Sequence, residues 1–460
     1  MQRILHCLPF IVAVLLVMAP AIVNGFPLIY PDSVGYLVDG VRLATDLPRA
    51  MGYALLLRPF VQIGSLWPAI LVQALVTTWA IRILWLRFGG LRESTDLLLL
   101  IGPLAILSPL SWTASWVLPD IFTAMVILSL AGLVAAHLTE PPVRDWPLML
   151  LAIISSAMHA SNILLLVMLS AAILGVTGLF TIWKPTCRRA LLGLAGSVVA
   201  VVVIAVSANL AINAAIHRKL SITAPYGFGF ALAAFNQGGL LVPFLETHCA
   251  EETYRLCEFK DALPRTSDEF LWSSPTSPQA LLALLGGFKG IDSEARRIVI
   301  GIIVSRPAAV TAYMWHNLIS QFSQLDIREE MPATDQDAVV SLQFLSLLKE
   351  YSIGGLQDYG DALQHYPHFP SFMLVSIQRY VTIGSLVIIL CLLAFGSSRL
   401  SRDQIFGSMT ILVGIVLNDL ISATISEPTS RYQTRVIWLL PALVIVFAVS
   451  LGRRADHSAR

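Results

Sequence analysis

Acidic and basic side chains stand at the borders of several apolar runs in this sequence, and their types suit proton transfer and anion binding. Asp32 follows the first apolar run, Asp120 opens another, and Arg431 and Arg435 precede the last one. A carboxylate such as Asp32 can accept a proton from an attacking hydroxyl. Cations such as Arg49, Arg431 or Arg435 can hold a departing phosphate. These residue types favour a transfer reaction on a phosphorylated substrate.

Other polar residues recur in similar places and are candidate ligands of a substrate. With Asp32 and Asp120 as candidate catalytic acids, the candidate substrate-binding residues are Tyr36, Arg49, His159, Asn162, Arg431, Tyr432 and Arg435. Structural roles are the alternative. Either acid could serve only at a helix N-terminus, His159 could be a packed, hydrogen-bonded side chain, and Arg431 could anchor at lipid headgroups.

The composition places these residues in an integral membrane protein. The 460 residues are 56% hydrophobic and 13% charged, with a mean hydropathy of +0.74, whereas an ordinary soluble domain is about 25% charged. We therefore predict an all-α polytopic membrane protein with about ten transmembrane helices. The formal net charge of +1 gives no sign of a nucleic-acid partner.

Apolar runs long enough to span a bilayer lie near residues 4–24, 67–86, 94–111, 119–138, 190–213, 379–396, 404–424 and 436–451. A further block, 146–180, is too long for one helix. The turn His159-Ala160-Ser161-Asn162 interrupts it, so we predict two helices that meet there, the first of them short. The first run is interpreted as an uncleaved helix, with a cleaved signal peptide as the alternative.

Loop charges predict the orientation, because cytoplasmic loops collect Lys and Arg. One set of loops holds Arg3, Arg82, Arg87, Arg92, Arg144, Lys184, Arg188, Arg189, Arg399, Arg402, Arg453, Arg454 and Arg460. We therefore expect a cytoplasmic (inner) membrane protein with both termini in the cytoplasm. The loops that hold Asp32, Asp120, His159 and Arg431 then share the outer face.

This orientation divides the chain into three parts. Residues 1–214 form a transmembrane module of about seven helices with a first outer loop at 25–53, residues 215–378 form a large, mainly helical extracytoplasmic segment, and residues 379–460 add about three helices. In that segment Cys249 and Cys257 are a candidate disulfide. Residues 292–325 are predicted to form two helical pieces, the second starting at Pro307. We expect the segment to cover the site and carry the acceptor.

The order and spacing of these residues resemble the GT-C superfamily of polyprenyl-phosphate-sugar glycosyltransferases, which includes protein O-mannosyltransferases and the aminoarabinose transferase of lipid A. The resemblance covers most of the chain in layout and rests on Asp32 and Tyr36, residues 49–53 and 55–59, Pro119-Asp120, Arg306-Pro307, Ser430-Arg431-Tyr432 and Pro441. It implies inverting transfer of a sugar from a polyprenyl phosphate to a lipid or envelope glycan on the outer face. It also implies a catalytic role for Asp32, assistance with substrate or metal from Asp120, and lipid-phosphate contacts near Arg431.

One position departs from the better-known members of that superfamily. Ser33 follows Asp32, where protein O-mannosyltransferases carry a second acid, so a divalent metal is possible but does not follow from the resemblance. No other cofactor is expected, since no glycine-rich loop indicates a nucleotide site. Two alternatives stay open: a lipid-carrier flippase or transporter, and a non-enzymatic envelope assembly protein.

Overall fold

The computed structural model describes residues 2–45, 47–88, 95–138, 146–183, 188–273, 281–325, 327, 336–366, 369–396 and 399–458. These residues form helices and no β-strands. The helices are α1 (Gln2–Val17), α2 (Ala19–Asn24), α3 (Pro31–Arg42), α4 (Met51–Gln62), α5 (Trp67–Arg87), α6 (Asp96–Leu107), α7 (Leu110–Ser115), α8 (Ile121–Leu138), α9 (Trp146–Met158), α10 (Asn162–Trp183), α11 (Arg188–His217), α12 (Phe228–Gln237), α13 (Leu241–His248), α14 (Ser267–Trp272), α15 (Leu281–Leu284), α16 (Gly287–Ser305), α17 (Pro307–Ser323), α18 (Gln336–Glu350), α19 (Leu356–Gly360), α20 (Phe372–Phe395), α21 (Arg402–Ile425), α22 (Ser430–Ile437) and α23 (Leu439–Ser458).

Among the described residues, seven helical segments are long and apolar enough to cross a membrane: α5, α8, α10, α11, α20, α21 and the pair α22–α23. Two bent pairs, α12 with α13 and α16 with α17, raise that number to nine if each pair is one span. The other three predicted runs coincide with the shorter apolar helices α1, α6 and α9. The chain is thus all-α with several potential spans, as predicted, while the number and direction of crossings stay predictions.

Two predicted helix boundaries are confirmed. The block at 146–180 is two helices, since α9 ends at Met158 after 13 residues and α10 begins at Asn162. Farther along, α16 ends at Ser305 and α17 begins at Pro307, with an angle of 101° between them. Four of the basic residues used to predict orientation, Arg92, Arg144, Lys184 and Arg460, lie outside the described residues.

Helix α8 forms the centre of the main hydrophobic core. Of its apolar window 89% is buried, against 22% in α20, which leaves most of α20 exposed. Helices α5, α9, α10, α11 and α21 pack around α8. A Cβ at Gly414 of α21 would overlap Ile127 of α8, so the glycine lets the two helices approach closely. This packing fixes the start of α8 relative to α21 and α22.

The predicted outer segment, 215–378, divides between two hydrophobic cores. Its first part, from Tyr226 to Val310, forms a second core. In that part Cys249 and Cys257 are joined by a disulfide, with their Cα atoms 5.8 Å apart. Its last part packs into the main core, where Phe344 and Tyr359 contact the ring of Phe26 edge-on. Residues of the predicted segment therefore contribute to both hydrophobic cores.

Backbone and side-chain hydrogen bonds hold the loop before α3, which the sequence predicts to be outside, beside the start of α8. The Leu28 N–H donates to the carbonyl of Ser115 at 3.0 Å, and the Val117 N–H donates to the carbonyl of Leu28 at 2.9 Å. On the other side of the loop, the side-chain oxygen of Gln364 accepts from the Ile29 N–H at 3.1 Å. The starts of α3 and α8 are therefore held near each other.

Candidate functional site

Asp32 lies in the first turn of α3 and is the more accessible of the two candidate acids. Pro31 is the first residue of this helix, where its missing N–H is not needed. Ser33 Oγ accepts a hydrogen bond from the N–H of Tyr30, the N-cap residue, at 3.0 Å. The helix start is thus satisfied without the Asp32 carboxylate, which is 31% exposed and contacts two arginines.

Asp120 lies at the start of α8 and is almost completely buried. Its side chain is 3% exposed, and its carbonyl accepts from the Thr123 N–H at 3.0 Å, which makes it the residue at the helix start. Arg431 forms a two-pronged ion pair with it: Nε donates to Oδ1 at 3.1 Å and Nη2 donates to Oδ2 at 3.0 Å. Paired bonds of this kind fix the guanidinium in orientation as well as in position.

Arg431 joins the two acids. Its Nη1 donates to Asp32 Oδ2 at 2.6 Å, and its guanidinium lies over the ring of Tyr30, 4.7 Å from the centroid. The start of α22 is held by α17, because Gln321 donates to the Thr429 carbonyl at 2.8 Å and accepts from the Thr429 N–H at 3.1 Å. One arginine thereby brings together two carboxylates from distant parts of the chain.

Arg49 contacts Asp32 from the opposite side. Its Nη2 donates to Asp32 Oδ1 at 2.6 Å, so each oxygen of this carboxylate accepts from a different arginine. The guanidinium lies 5.6 Å from the ring centroid of Tyr36, which is itself buried against Tyr53. A Cβ at Gly35 would overlap the Arg49 guanidinium. The absence of a side chain at Gly35 therefore makes room for Arg49.

Arg435 lies one turn beyond Arg431 on α22 and is 1% exposed. It donates to Asn418 Oδ1 from Nε at 2.9 Å and from Nη2 at 2.7 Å, and its Nη1 lies 3.9 Å from Asp120 Oδ1. Among the described residues, no acceptor forms a hydrogen bond with this Nη1. Asp419 accepts instead from the Asn418 amide at 2.9 Å. The Arg435 guanidinium also stacks over Tyr432, 4.9 Å from its centroid.

Nearby cations keep both carboxylates ionised. Burial alone would raise the pKa of Asp32, but the charges of Arg49 and Arg431 and the hydrogen bonds they donate hold it well below its usual range. The same opposition between burial and neighbouring charge, with Arg431 as the main cation, lowers the pKa of Asp120. Asp32 is therefore a weak base as long as both arginines contact it, and removal of either contact would raise its pKa.

His159 and Asn162 lie close together in the sequence but have different surroundings. Asn162 is fully buried, its oxygen accepts from Thr123 at 2.8 Å and its amide donates to the Ser155 carbonyl at 2.9 Å, so it ties helices together and does not join the two acids. His159 is half-buried in the turn before it. Burial, followed by the charge of Arg435, lowers the pKa of His159 to about 3, so this imidazole is neutral near pH 7.

The five residues Asp32, Asp120, Arg49, Arg431 and Arg435 form what we call the ion cluster, in which three guanidinium groups face two carboxylates. This charge balance suits an anion. Among the described residues, no three His, Cys, Asp or Glu side chains lie together as a metal site requires, and the two acids contact guanidinium groups instead. The donor set around them does not fit a divalent metal.

Sequence reasoning missed two participants in this site. Tyr30, under the Arg431 guanidinium, precedes Pro31 and carries no signal beyond its place in the predicted first outer loop. Asn418, the main partner of Arg435, does carry one, because a polar residue next to Asp419 within an apolar run is expensive in a membrane and marks a functional or paired position.

Comparison with known proteins identifies no homologue. No protein-family model, curated protein sequence or solved structure matches this chain. The function must therefore be inferred from the site itself.

Proposed function

We propose that this protein is a membrane glycosyltransferase that moves a sugar from a polyprenyl-phosphate donor to a lipid or envelope glycan acceptor on the outer face of the cytoplasmic membrane. The observation that carries the proposal is the ion cluster, in which an accessible carboxylate lies between two arginines and cations exceed acids. A donor of this kind is a phosphodiester with one negative charge, which matches the excess of one cation.

The reaction places different demands on the two acids, and their environments differ accordingly. Asp120 is buried and held by both prongs of Arg431, so it orients that guanidinium. Asp32 is ten times more exposed and makes a single contact with each arginine. Asp32 is therefore the acid that a substrate can reach, and the acid whose contacts a phosphate can replace.

In the proposed step, the donor phosphate replaces Asp32 as the hydrogen-bond acceptor of Arg431 and Arg49. Asp32 loses part of its positive surroundings, its pKa rises, and it accepts the proton of the acceptor hydroxyl. The hydroxyl oxygen bonds to the anomeric carbon as the bond from that carbon to the phosphate oxygen breaks. The leaving polyprenyl phosphate gains a second negative charge, which the arginines stabilise. A single displacement of this kind inverts the anomeric configuration.

Envelope analysis tests this proposal. Lipids and glycans from cells lacking the protein are compared by mass spectrometry after complementation with the wild type, Asp32→Asn or Asp361→Asn. Asp361 is an exposed acid outside the cluster and serves as the matched control. We expect a glycan species that depends on the wild type and on Asp361→Asn and disappears with Asp32→Asn at equal protein level in the membrane. Wild-type product from Asp32→Asn would contradict the catalytic role of Asp32.

A further inference from the structure

The bend between α16 and α17 carries exposed apolar side chains on both of its arms. At the end of α16, Val304 is 74% exposed, and Ile300 and Ile303 are 44% exposed each. The opposite face of this helix, which includes Ile302, is buried in the second hydrophobic core. On α17 the exposed apolar residues recur at intervals of four and three and form one stripe. These residues are Ala308, Ala312, Trp315, Ile319 and Phe322. The described part of the chain therefore leaves an apolar surface uncovered around the bend.

The exposed face of α16 changes from cationic to apolar along the helix. Up to Arg297 it presents the side chains of Lys289, Arg296 and Arg297. From Ile300 to Val304 its exposed side chains are apolar. Arg297 and Val304 are seven residues apart, which is about 10 Å along a helix. A change from cations to apolar side chains over this distance matches the passage from lipid headgroups to acyl chains.

Helix α17 packs against α21, which is long and apolar enough to cross a membrane. Asn317 donates to the Ala423 carbonyl at 2.9 Å, and one turn later Gln321 exchanges two hydrogen bonds with the backbone of Thr429. Because the two helices run in the same direction here, the residues of α17 before Asn317 lead back from the end of α21 toward its middle. The apolar stripe of α17 therefore adjoins a candidate span, near the end of that span that lies beside Arg431.

The angle of the bend suits a turn back to the same side of a membrane and not a crossing. The chain direction changes by 101° between α16 and α17, more than a right angle, so the two helices form a V. Its arms have 19 and 17 residues, which makes them about 25–29 Å long. A bilayer core is about 30 Å thick, and a crossing helix stays close to the bilayer normal. A V of this size reaches into one leaflet with its tip.

Arg306 lies at the tip and limits the depth that the V can reach. Its Nη2 donates to the Pro243 carbonyl at 2.8 Å, and among the described residues Pro243 is the only acceptor of this guanidinium. The other donors of Arg306 need water or lipid phosphate, because a charge is costly among acyl chains. A long Arg side chain extends from a shallow position to the headgroups. The tip therefore lies about 5–10 Å below the headgroups, as in helices that bind at the membrane surface.

We propose that the V of α16 and α17 is a lipid-binding wedge, which dips into the leaflet beside the ion cluster and returns to the same side. Acyl chains then cover Ile303 and Val304, and lipid phosphates contact Arg296 and Arg297. Trp315 on the second arm is a residue type that favours the membrane interface. The wedge holds the second hydrophobic core at the membrane surface. This inference does not depend on the proposed function.

Labelling from each side of the membrane tests whether the pair turns back. Single cysteines replace the exposed Ser293 on α16 or Ser323 on α17, in a full-length protein whose Cys7, Cys187 and Cys391 are changed to Ser. A membrane-impermeant maleimide is added to right-side-out and to inverted membrane vesicles from expressing cells. We expect Ser293→Cys and Ser323→Cys to react in the same type of vesicle and neither to react in the other. Reaction in opposite types would show that the pair crosses the membrane and would overturn the wedge.

A depth measurement tests the contact with lipid. A nitroxide is attached to Val304→Cys or Ser293→Cys in the same background, and the full-length protein is placed in vesicles of phosphatidylcholine and phosphatidylglycerol. Collisions with oxygen, which concentrates in acyl chains, are compared with collisions with a water-soluble nickel chelate. We expect the label at Val304 to lie about 5–10 Å below the lipid phosphates. Ser293 is the matched control, since it is exposed on the same helix about 16 Å away and its label should collide mainly with nickel.

The remaining outcomes contradict the wedge. Frequent nickel collisions at Val304 would mean that the bend faces water. Protection of Val304 from both oxygen and nickel would mean that protein covers the bend, and dipolar broadening between labels would identify that protein as a second copy of this chain. Both cysteines replace exposed side chains, and each labelled protein is compared with the wild type by thermal unfolding before its depth is measured.

Discussion

Glycine-to-alanine substitutions can distinguish residues that make room for the site from residues that hold the fold. A Cβ at Gly35 would overlap the Arg49 guanidinium, the far end of a flexible side chain. A Cβ at Gly52 would overlap the backbone carbonyl of Ala157, which cannot move independently of its helix. Neither glycine has a positive φ, so each substitution tests space and not backbone strain.

The structure predicts different consequences for the two substitutions. In Gly35→Ala, Arg49 leaves Asp32, and the loss of a charged hydrogen bond of about 1.5–3 kcal/mol is partly offset by about 0.5–1 kcal/mol from alanine in a helix. If Arg49 holds the leaving phosphate, the same contact is worth about 10- to 150-fold in rate. In Gly52→Ala, overpacking between α4 and α9 should destabilise the protein by about 1–3 kcal/mol or more.

Thermal unfolding in detergent and product formation in cells are measured for both variants. Gly102→Ala, where a Cβ would meet nothing within 4 Å, is the control and should leave both readouts near wild type. We expect both variants to unfold at a lower temperature than the wild type, with the larger fall in Gly52→Ala, and we expect only Gly35→Ala to lose activity per amount of folded protein. Wild-type activity in Gly35→Ala, together with a loss of activity in Arg49→Gln, would refute the inference that Gly35 makes room for Arg49.

Three further predictions concern the ion cluster and the second hydrophobic core. Arg49→Gln should raise the pKa of Asp32, and because the ionised carboxylate is the active form, the acidic limb of a pH–rate profile should move to higher pH. Asp120→Asn leaves a buried guanidinium with less compensation and should destabilise the protein by about 3–5 kcal/mol, more than Asp32→Asn, as measured by thermal unfolding. Replacing Cys249 and Cys257 by Ser opens a short loop and should cost about 2–3 kcal/mol, seen as faster proteolysis of the second hydrophobic core while the glycan product is retained.

Local features of this fold could be predicted because local signals dominate them. The turn at His159 was predicted from polar residues that interrupt an apolar block, and the helix start at Pro307 from the missing N–H of proline. Both signals lie within a few residues of the position they predict. The division of residues 215–378 could not be predicted in this way. The division depends on which residues the apolar side chains pack against. Phe344 packs against Phe26 in the main core, whereas residues 226–310 pack mainly against one another.

The candidate site was predictable in its residue types and not in its pairings. Asp32 and Arg431 are 399 positions apart, and only the tertiary packing of α3, α8 and α22 brings them within 2.6 Å. The hydrogen bonds of Asn162 are likewise not visible in the sequence. An amide next to a candidate histidine suggested a ligand, but hydrogen bonds to Thr123 and Ser155 occupy it, and sequence alone does not reveal which side of a helix turn is covered.

Under the proposed function, the pairing of each acid accounts for the presence of two carboxylates beside one arginine. Under the proposed function, a donor phosphate replaces Asp32 on Arg431, which is 11% exposed, and without Asp120 no protein carboxylate would then fix the orientation of this guanidinium. Asp120 stays bound through two hydrogen bonds while Asp32 exchanges, so the guanidinium keeps its orientation throughout. Asp32 thereby gains basicity only when an anion occupies the arginines. Under the proposed function, proton acceptance is coupled to donor binding, and the buried acid makes that coupling possible.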